Sequence, residues 1–479
     1  ARAALGLLLA INLFNFIDRQ VLAAVAPKIE VEFQRTKDEV GWLMSAFLVS
    51  YTLVAPVFGW LGDRWSRWKL MAAGVVVWSL ASGGTGLATG FVVMMLTRAV
   101  IGVGEAAYAP VAPSLISDLF PVARRGWVLA WFYMAIPVGS ALGYVLGGAM
   151  ADTALGWRWA FYLVVPPGIV LGVLCLFMRE PPRGAADKAT HHMPTFRDTA
   201  VLAHIPSYVL NTLGMAAMTF ALGAVGAWLP TYLYEREGTY TFTPAAFEKM
   251  LKPAGPLNTT VPEGVVQRLQ PLADQTYHST EPLRATLAEH LTPEEVNQYR
   301  ARVADDARTE KSPTLGWINL VFGGILVVGG LAATLTGGWA GDKLRGRVRG
   351  SYFAVSAAGM VAGLPMFVLA IVTPLPLGWV FVFLAVFCLF FNTGPSNTAL
   401  ANASPPSLRA SAFALNILII HLFGDVISPP IVGWIDTAAS LRTGLLLLTG
   451  PIAVAGLFWL WGTRYLDRDT ELAPTRVAG

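Results

Sequence analysis

The sequence predicts an all-α membrane protein whose twelve transmembrane helices form two pseudo-symmetric six-helix bundles. Its 479 residues are 55% hydrophobic and 13% charged, which is far too apolar for a soluble globular protein. Its apolar segments are long enough to cross the ~30 Å hydrocarbon core of a bilayer as helices. Short glycine-containing blocks of the first half also recur in the second half, in the same order.

Twelve segments have the length and hydropathy of transmembrane helices. In chain order they lie near residues 3–29, 40–61, 70–90, 91–116, 126–150, 159–178, 206–233, 314–338, 350–373, 377–400, 410–435 and 443–464. We therefore predict a first bundle over residues 1–180, a linker over 181–205 and a second bundle over 206–479.

Lysine and arginine are concentrated in the short loops of one side. These loops carry Arg64, Arg67, Lys69, Arg124, Arg125, Arg179, Arg183, Lys188, Arg197, Lys343, Arg345, Arg347, Arg349 and Arg409. The short loops of the other side hold little beyond Lys28, Arg35, Lys37, Arg158 and Arg442. Because cytoplasmic loops carry the excess of basic residues, we expect both termini and the linker in the cytoplasm. In a bacterium, the protein would be a multi-pass protein of the inner membrane.

Residues 235–313 interrupt the pattern of spans with a polar, proline-rich insert. Thr292-Pro293-Glu294-Glu295 predicts a helix start, with Thr292 as N-cap and Glu295 at the capping-box position. The predicted orientation places the insert outside the cytoplasm, as a structured cap. His278 and His290 lie in it without metal-ligand spacing or a nucleophile motif, so we expect neither an enzyme nor a metal site. No cofactor is predicted.

A polar stripe crosses the first span. Asn12, Asn15, Asp18 and Arg19 fall within one third of the helix circumference, at about 100° per residue. A charge at that depth costs at least ~2.5 kcal/mol, so the stripe must face protein or a water-filled cavity rather than lipid. It is either the wall of a binding site or an ion pair that fixes helix packing.

The fourth span carries a second pair of charges. Arg98 and Glu105 are seven residues apart and share one face, and Gly102 between them leaves room for a neighbouring helix. Burial raises and a nearby guanidinium lowers the pKa of a carboxyl group, so Asp18 and Glu105 are candidates for proton coupling. The alternative is a set of permanent ion pairs between the two helices. Arginine also suits phosphate, so Arg19 or Arg98 can bind an anionic headgroup instead.

The chain repeats itself. Gly59-Trp-Leu-Gly-Asp63-Arg64 at the end of the second span corresponds to Gly338-Trp-Ala-Gly-Asp342-Lys343 at the end of the eighth. Pro110, Pro121, Arg124, Gly139 and Gly148 recur at one constant offset as Pro395, Pro406, Arg409, Gly424 and Gly433. Two halves related in this way are typical of secondary transporters with a site at the repeat interface.

These motifs carry a family resemblance. Gly59-Trp-Leu-Gly-Asp63-Arg64-Trp-Ser-Arg67-Trp-Lys69-Leu70 looks like the major facilitator superfamily loop between helices two and three, although Ser66 replaces the usual glycine and Trp68 a common basic residue. Leu96-Thr-Arg98-Ala-Val-Ile-Gly102-Val-Gly-Glu105 resembles the fourth-helix motif of the superfamily. Four glycines resemble its fifth-helix motif without the Gly-Pro pair: Gly139, Gly143, Gly147 and Gly148.

Within that superfamily, Asn12-Leu-Phe-Asn-Phe-Ile-Asp18-Arg19, followed by Gly102-Val-Gly-Glu105-Ala-Ala-Tyr108, is similar to the Spinster family. That family is associated with transport of sphingosine 1-phosphate and lysophospholipids. The resemblance implies that spans one, four, seven and ten line a central cavity. From the polar side chains on these spans, we predict Asn12, Asn15, Arg19, Arg98, Asn392 and Asn397 as substrate-binding residues.

The resemblance also implies a conformational latch in the loops that follow spans two and eight, formed by Asp63, Arg64, Arg67 and Asp342. The alternative is that these residues only anchor the topology. On the eleventh span, His421 and Asp425 are one turn apart and form a possible second polar site, either a satisfied polar pair or a second proton site.

The sequence therefore predicts a proton-coupled secondary transporter that moves an amphipathic lysolipid-like substrate by alternating access. The alternatives are a transporter of small organic anions or drugs and, from another class, a non-transporting membrane receptor. The expected partners are the substrate, protons and membrane lipids, and we expect a monomer. The basic residues form short clusters rather than a basic domain, which argues against nucleic-acid binding, and there is no Walker motif for an ATP-driven pump.

Overall fold

A computed structural model describes residues 2–62, 64–120, 122–181, 199–253, 257–405 and 408–476. Within these residues, twelve helices are long and apolar enough to cross a membrane, as predicted. We number them span one to span twelve: Arg2–Phe33, Lys37–Gly62, Arg67–Leu87, Phe91–Ile116, Met134–Ala151, Arg158–Leu176, Pro206–Arg236, Leu315–Leu344, Ser351–Val372, Gly378–Ala403, Ser411–Ala438 and Leu441–Gly462.

Several spans are not single regular helices. Span four breaks between Phe91–Ala106 and Val111–Leu119, where Pro110 lacks the backbone N–H that a continuous helix needs. Span five belongs to a longer helix, Val122–Ala151. The segments of spans ten, eleven and twelve are Gly378–Phe390, Thr393–Ala403, Arg409–Ile420, Ser428–Ala438, Leu441–Leu447 and Thr449–Gly462. Short helices outside the spans are Ala200–His204, Leu466–Leu472 and Ala473–Thr475.

Span one packs against span five through glycines of the predicted fifth-helix motif. A Cβ atom on Gly139 would lie 2.6 Å from the Leu13 carbonyl oxygen, and one on Gly147 would lie 2.6 Å from the Ala24 Cβ. Glycine therefore allows the two helices to approach closely over two turns. This contact fixes the rotation of span one and so decides where its polar stripe points.

The insert folds into a small domain. Span seven extends to Arg236, so the insert as the structure has it begins at residue 237 and ends at 313. Strands β1, Thr239–Thr241, and β2, Thr276–His278, pair antiparallel, with Tyr240 opposite Tyr277. The helices of the insert are Pro244–Leu251, Glu263–Leu269, Gln270–Leu272, Thr280–His290 and Pro293–Ala307.

The predicted capping box is confirmed. The Thr292 hydroxyl accepts a hydrogen bond from the Glu295 backbone N–H at 3.3 Å, and the Glu295 carboxylate accepts one from the Thr292 N–H at 3.0 Å. Below this helix, Phe242, Leu269, Leu283 and Val303 are buried in a common apolar core. The insert therefore has a hydrophobic core of its own.

The described residues belong to two compact units. The first comprises Ala1–Arg183, Gly226–Gly323 and Pro429–Gly444, so it contains spans one to six, the insert, and the parts of spans seven, eight, eleven and twelve nearest to the insert. The second comprises Gly184–Val225, Gly324–Ser428 and Leu445–Gly479. The division into two six-helix bundles stays a prediction, and residues 182–198 of the predicted linker lie outside the described part of the chain. We call the side of the spans that carries the insert the insert side.

Candidate functional site

The polar stripe of span one is buried inside the first unit. The Asn12 amide donates a hydrogen bond to the Phe132 carbonyl oxygen at 2.8 Å, so this side chain holds span one to span five. Asn15 is 3% exposed, and its amide nitrogen has no hydrogen-bond partner among the described residues. One stripe therefore contains a satisfied amide and, one turn further, an unsatisfied one.

Asp18 faces span three. Its Oδ1 atom accepts a short hydrogen bond from the Ser82 hydroxyl, while its Oδ2 atom is buried without a hydrogen-bond partner in the described part of the chain. Asp18 therefore joins span one to span three through one of its two carboxylate oxygens.

Arg19 pairs with Glu105 across spans one and four. The Arg19 Nε and Nη2 atoms donate to the same carboxylate oxygen, Glu105 Oε2, at 2.8 and 2.5 Å. The Glu105 side chain is 1% exposed, and its other oxygen, Oε1, has no hydrogen-bond partner within the described residues. A charge-assisted hydrogen bond at so buried a position is strong, but it engages only one of the two carboxylate oxygens.

Arg98 is the most unusual side chain of the cluster. It is 0% exposed, and none of its three guanidinium nitrogens has a hydrogen-bond partner among the described residues. Arginine keeps its charge in proteins and offers five N–H donors. A buried guanidinium without hydrogen bonds is costly to the protein, and an oxyanion that enters the cluster would remove this cost.

Aromatic rings lie close to both guanidinium groups. The Phe47 ring of span two lies 5.1 Å from the guanidinium carbon of Arg19 and equally 5.1 Å from that of Arg98. The rings of Phe16 and Tyr51 lie 5.0 and 5.7 Å from Arg19. Cation–π attraction thus replaces part of the hydration that both cations lose.

Gly102 explains how Phe47 reaches this position. A Cβ atom on Gly102 would collide with the Phe47 carbonyl oxygen and the Ser50 hydroxyl, so spans two and four touch through their backbones. The Ser50 hydroxyl donates to the Ala99 carbonyl oxygen at 2.7 Å across the same contact. The prediction that Gly102 leaves room for a neighbouring helix is confirmed.

Taken together, two arginines and two carboxylates form a neutral cluster with unequal pairing. One guanidinium, Arg98, lacks hydrogen bonds, and each carboxylate, Asp18 and Glu105, has one buried oxygen without a partner in the described chain. Such a cluster can accept an anion at the guanidinium and a proton at either free oxygen. The structure brings together all four charged residues that the sequence analysis selected on spans one and four.

Sequence reasoning missed the side chains that complete the cluster. Ser82 of span three and Phe47 and Tyr51 of span two contact its charges. A serine beside two glycines and aromatic residues on an apolar helix are ordinary features of transmembrane segments. No periodicity or motif marks them, and only the packing of the helices shows their role.

The second unit contains the asparagines selected on span ten. Asn392 is buried, its amide donates to the Leu389 carbonyl oxygen at 2.5 Å, and its own oxygen has no hydrogen-bond partner among the described residues. Asn397 donates to the Thr393 carbonyl oxygen at 2.8 Å. Both amides therefore donate to backbone oxygens that lie three or four residues earlier in the sequence. The buried side-chain oxygen of Asn392 is available to accept a hydrogen bond from another donor.

His421 and Asp425 do form a pair, as their spacing suggested. The His421 Nδ1 atom lies 2.9 and 3.0 Å from the two carboxylate oxygens of Asp425, within the π-helical turn His421–Asp425 of span eleven. Single π-helical turns inside helices often occur at functional sites. A Cβ on Gly223 would lie 2.6 Å from the Asp425 Cβ, so span seven approaches the pair closely.

The latch residues differ in their contacts. Arg67 pairs with Asp118 at 2.5 Å and with Glu180 at 2.7 Å, so it joins the start of span three to the ends of spans four and six. Arg64 stacks on the Trp60 ring at 4.1 Å. Asp63 lies outside the described residues. In the second unit, Asp342 accepts a hydrogen bond from the Tyr352 hydroxyl at 2.6 Å.

Comparison with known proteins agrees with this architecture. Residues 8–248 match the sequence profile described as the Major Facilitator Superfamily. The chain is 31% identical over 500 residues to the protein spinster homolog 3 of Danio rerio, covering 99% of this chain and 87% of that protein. It is 30% identical over 495 residues to the human protein spinster homolog 1, covering 98% of this chain and 82% of the relative.

Solved structures share the fold. A bacterial homolog to the human lysosomal transporter Spinster, in an inward-facing and occupied conformation, matches with a TM-score of 0.71 at 19% identity over 97% of both chains. The inward open xylose transporter XylE from E. coli matches with a TM-score of 0.64 at 14% identity, covering 97% of this chain and 98% of that one. With its twelve spans and its full-length likeness to Spinster homologues, the chain belongs to the Spinster family of the major facilitator superfamily and is a membrane transporter of that family.

Proposed function

We propose that the protein is a proton-coupled secondary transporter that moves an amphipathic, lysolipid-like substrate with a phosphate headgroup by alternating access. Membership of the Spinster family supports a transporter of small molecules, and the association of that family with sphingosine 1-phosphate and lysophospholipids supports the substrate class. The observation that carries the proposal is the Arg98 guanidinium, which is fully buried and without hydrogen bonds to the described residues. No catalytic step is part of the proposal.

Arg98 is the proposed headgroup-binding residue. A phosphate presents oxygens in the geometry that a guanidinium fork binds in bidentate fashion. The negative charge of the phosphate would compensate the desolvated guanidinium. Its oxygens would accept hydrogen bonds from the Arg98 nitrogens that have no partner among the described residues. Arg19 is already bonded to Glu105, so it would contribute to binding chiefly when Glu105 is neutral. Asn15, whose buried amide is also unsatisfied, is the proposed third polar contact.

Asp18 and Glu105 are the proposed proton-coupling residues. Protonation of Glu105 would remove the charge that holds Arg19 and free that guanidinium for an anion. Protonation of Asp18 would similarly remove one negative charge from the cluster that contains Arg98. Since either proton raises the net positive charge of the cluster by one, protons and an anionic headgroup would bind cooperatively. This is a physical basis for coupling between the two.

Other predicted roles stay within the proposal. Asp63, Arg64 and Arg67 form the latch in the loop after span two, and Asp342 is its counterpart in the loop after span eight. His421 with Asp425 forms a second polar site. The excess of basic residues in the loops of the first side supports cytoplasmic termini and, in a bacterium, an inner-membrane location. The protein acts as a monomer.

Reconstitution into proteoliposomes tests the proposal. We expect uptake of short-chain lysophospholipids and sphingosine 1-phosphate, accelerated by an imposed pH gradient, and no uptake of the matching alcohols that lack the phosphate. Uptake of compact organic anions at equal rates would favour the second predicted substrate class and remove the lysolipid assignment. An uptake rate that does not depend on the pH gradient would contradict proton coupling but not the assignment as a transporter.

A further inference from the structure

We propose that the insert, residues 237–313, is a gate that is fixed to the second half of the chain and closes against span one. The inference rests on alternating access, which is part of the proposed function. It concerns the motion of the insert and requires no particular substrate. Two sets of contacts within the first unit carry it, one set holding the insert to the end of span eleven and the other joining it to span one.

The contacts with span eleven are the tighter set. Arg284 donates to the Asp436 and Thr437 carbonyl oxygens at 2.5 and 2.7 Å, at the end of the helix where backbone acceptors are unpaired. Arg300 pairs with the Asp436 carboxylate at 2.6 Å, and the Asp436 side chain is 3% exposed. We call Arg284, Arg300 and Asp436 the mount.

The base of the insert is also held to span seven. Arg308, at the end of the insert, stacks 3.6 Å from the Tyr234 ring and donates to the Tyr234 carbonyl oxygen at 3.0 Å. It also donates to the Pro313 carbonyl oxygen at 2.9 Å, just before span eight. The insert is therefore bonded to two helices of the second half, spans eleven and seven, and is continuous in sequence with spans seven and eight.

The contacts with span one are made by side chains that are more exposed than those of the mount. Lys28 pairs with Asp305 at 2.8 Å, with side chains 24% and 29% exposed. Gln34, just beyond span one, donates to the Thr260 carbonyl oxygen at 3.2 Å from an exposed position. Because water competes with pairs of this kind, they are the contacts that separate most easily.

Ion pairs also join spans one, two and seven on the insert side. The Lys37 ammonium, 1% exposed at the start of span two, bridges Glu30 of span one at 2.7 Å and Glu235 of span seven at 2.6 Å. A Cβ atom on Gly41 of span two would lie 2.6 Å from the Pro430 Cα of span eleven. First-half and second-half helices thus meet closely on the insert side.

Alternating access requires these helices to separate on the insert side in one phase of the cycle. The insert cannot stay bonded to both span one and span eleven while they part. In its mount, Arg300 and Asp436 are 13% and 3% exposed, whereas Lys28 and Asp305 in the contact with span one are 24% and 29% exposed. We infer that the insert travels with span eleven, and that opening breaks Lys28–Asp305 together with Lys37–Glu235.

Distance measurements between spin labels in the full-length reconstituted protein test this inference without substrate. Native cysteines are removed as Cys175→Ala and Cys388→Ala. One label pair joins Glu289→Cys on the insert to Ala154→Cys in the loop between spans five and six. A second pair joins Glu289→Cys to Ala439→Cys at the end of span eleven. All three labelled positions are exposed.

Lys28→Glu should raise the population of the longer Glu289–Ala154 distance about tenfold, equivalent to about 1.4 kcal/mol. Asp305→Lys should do the same, and the double variant should restore the parent distribution. Arg268→Glu, which breaks an exposed pair inside the insert, is the matched control and should change nothing.

The Glu289–Ala439 distance should stay constant in every variant. Lengthening of that distance, with the Glu289–Ala154 distance unchanged, would show that the insert stays on span one and would overturn the inference. An unchanged distribution in Lys28→Glu, or a double variant as open as the single ones, would overturn it as well. Transport assays are separate: loss of lysolipid uptake with intact gate motion would contradict only the proposed substrate.

Discussion

Arg19 of span one and Glu105 of span four meet through a single carboxylate oxygen, Oε2, at 2.8 and 2.5 Å. The other oxygen of Glu105 is buried without a hydrogen-bond partner among the described residues. Two helices are thus joined by a bond that one proton can weaken. This differs from a purely structural ion pair, in which both oxygens would normally be satisfied.

Glu105→Gln should abolish accumulation of substrate driven by a pH gradient, because the amide keeps the shape of the carboxylate and cannot release a proton at neutral pH. Exchange of substrate across the membrane without a gradient should persist. Asp18→Asn should likewise abolish accumulation driven by a pH gradient and leave exchange without a gradient intact. Uptake into proteoliposomes with and without an imposed gradient measures both quantities.

Glu289→Gln is a suitable control for this experiment, because Glu289 is an exposed acid on the insert, far along the chain from the cluster. It should leave the dependence on pH unchanged. If Glu105→Gln and Asp18→Asn still accumulate substrate against a gradient with the parent dependence on pH, proton coupling through these residues is wrong.

Arg98→Gln should weaken binding of phosphate-headed ligands by about ten- to a hundredfold, since a hydrogen bond to a charged group contributes about 1.5–3 kcal/mol. Arg98→Lys should recover part of this loss, because it restores the charge but not the bidentate fork. Binding is measured by ligand-induced change in tryptophan fluorescence. Equal weakening for ligands without phosphate would show that Arg98 only supports the fold.

The charged residues of this cluster can be predicted from the sequence, but the way they pair cannot. The charges of Asp18, Arg19, Arg98 and Glu105 are visible because charges are rare at membrane depth. Their pairing is not visible, because it depends on how span one is rotated against its neighbours. Sequence proximity suggests Asp18 with Arg19, whereas the structure pairs Arg19 with Glu105.

The fold is easier to predict from the sequence than the pairing of the charged residues. Hydropathy and length predict the twelve spans because a bilayer sets both properties for any helix that crosses it. The Thr292–Glu295 capping box is equally local and was predicted correctly. The attachment of the insert through Arg284 and Arg300 involves partners over a hundred residues away, and no local pattern indicates such contacts.

Gly102→Ala should destabilise the protein by about 1–3 kcal/mol, the usual cost of an extra methyl group in a packed interior. The added carbon would collide with the Phe47 backbone, which cannot move independently as a flexible side chain would. Gly6→Ala in span one is the matched control, because the described residues place no atom within 4 Å of the position of its added Cβ. Thermal unfolding in detergent compares the two. Equal melting temperatures for both variants would contradict the close contact of spans two and four.

Arg67→Gln should favour opening on the side opposite the insert, because it removes both ion pairs that join span three to the ends of spans four and six. Labelling of single cysteines introduced on that side measures the opening. Asp63→Ala should act in the same direction. Lys69→Gln is the control, since Lys69 is an exposed basic residue near the start of span three and is not part of the proposed latch. Unchanged labelling in Arg67→Gln would leave the loop as a topological anchor.

Chain length distinguishes a lysolipid from a compact anion as the substrate. An acyl tail that enters an apolar pocket contributes about 0.8 kcal/mol for each CH₂ group fully removed from water, whereas a compact anion has no tail to bury. Affinity should therefore rise with tail length until the pocket is full. Arg19→Ala should weaken phosphate-headed ligands more than uncharged ones at every length. Ligands must be compared below the concentration at which they form micelles, because aggregation and partitioning into the bilayer would imitate the trend. If short soluble anions bind as tightly as long-chain lysolipids, the lipid assignment fails while the transporter fold remains.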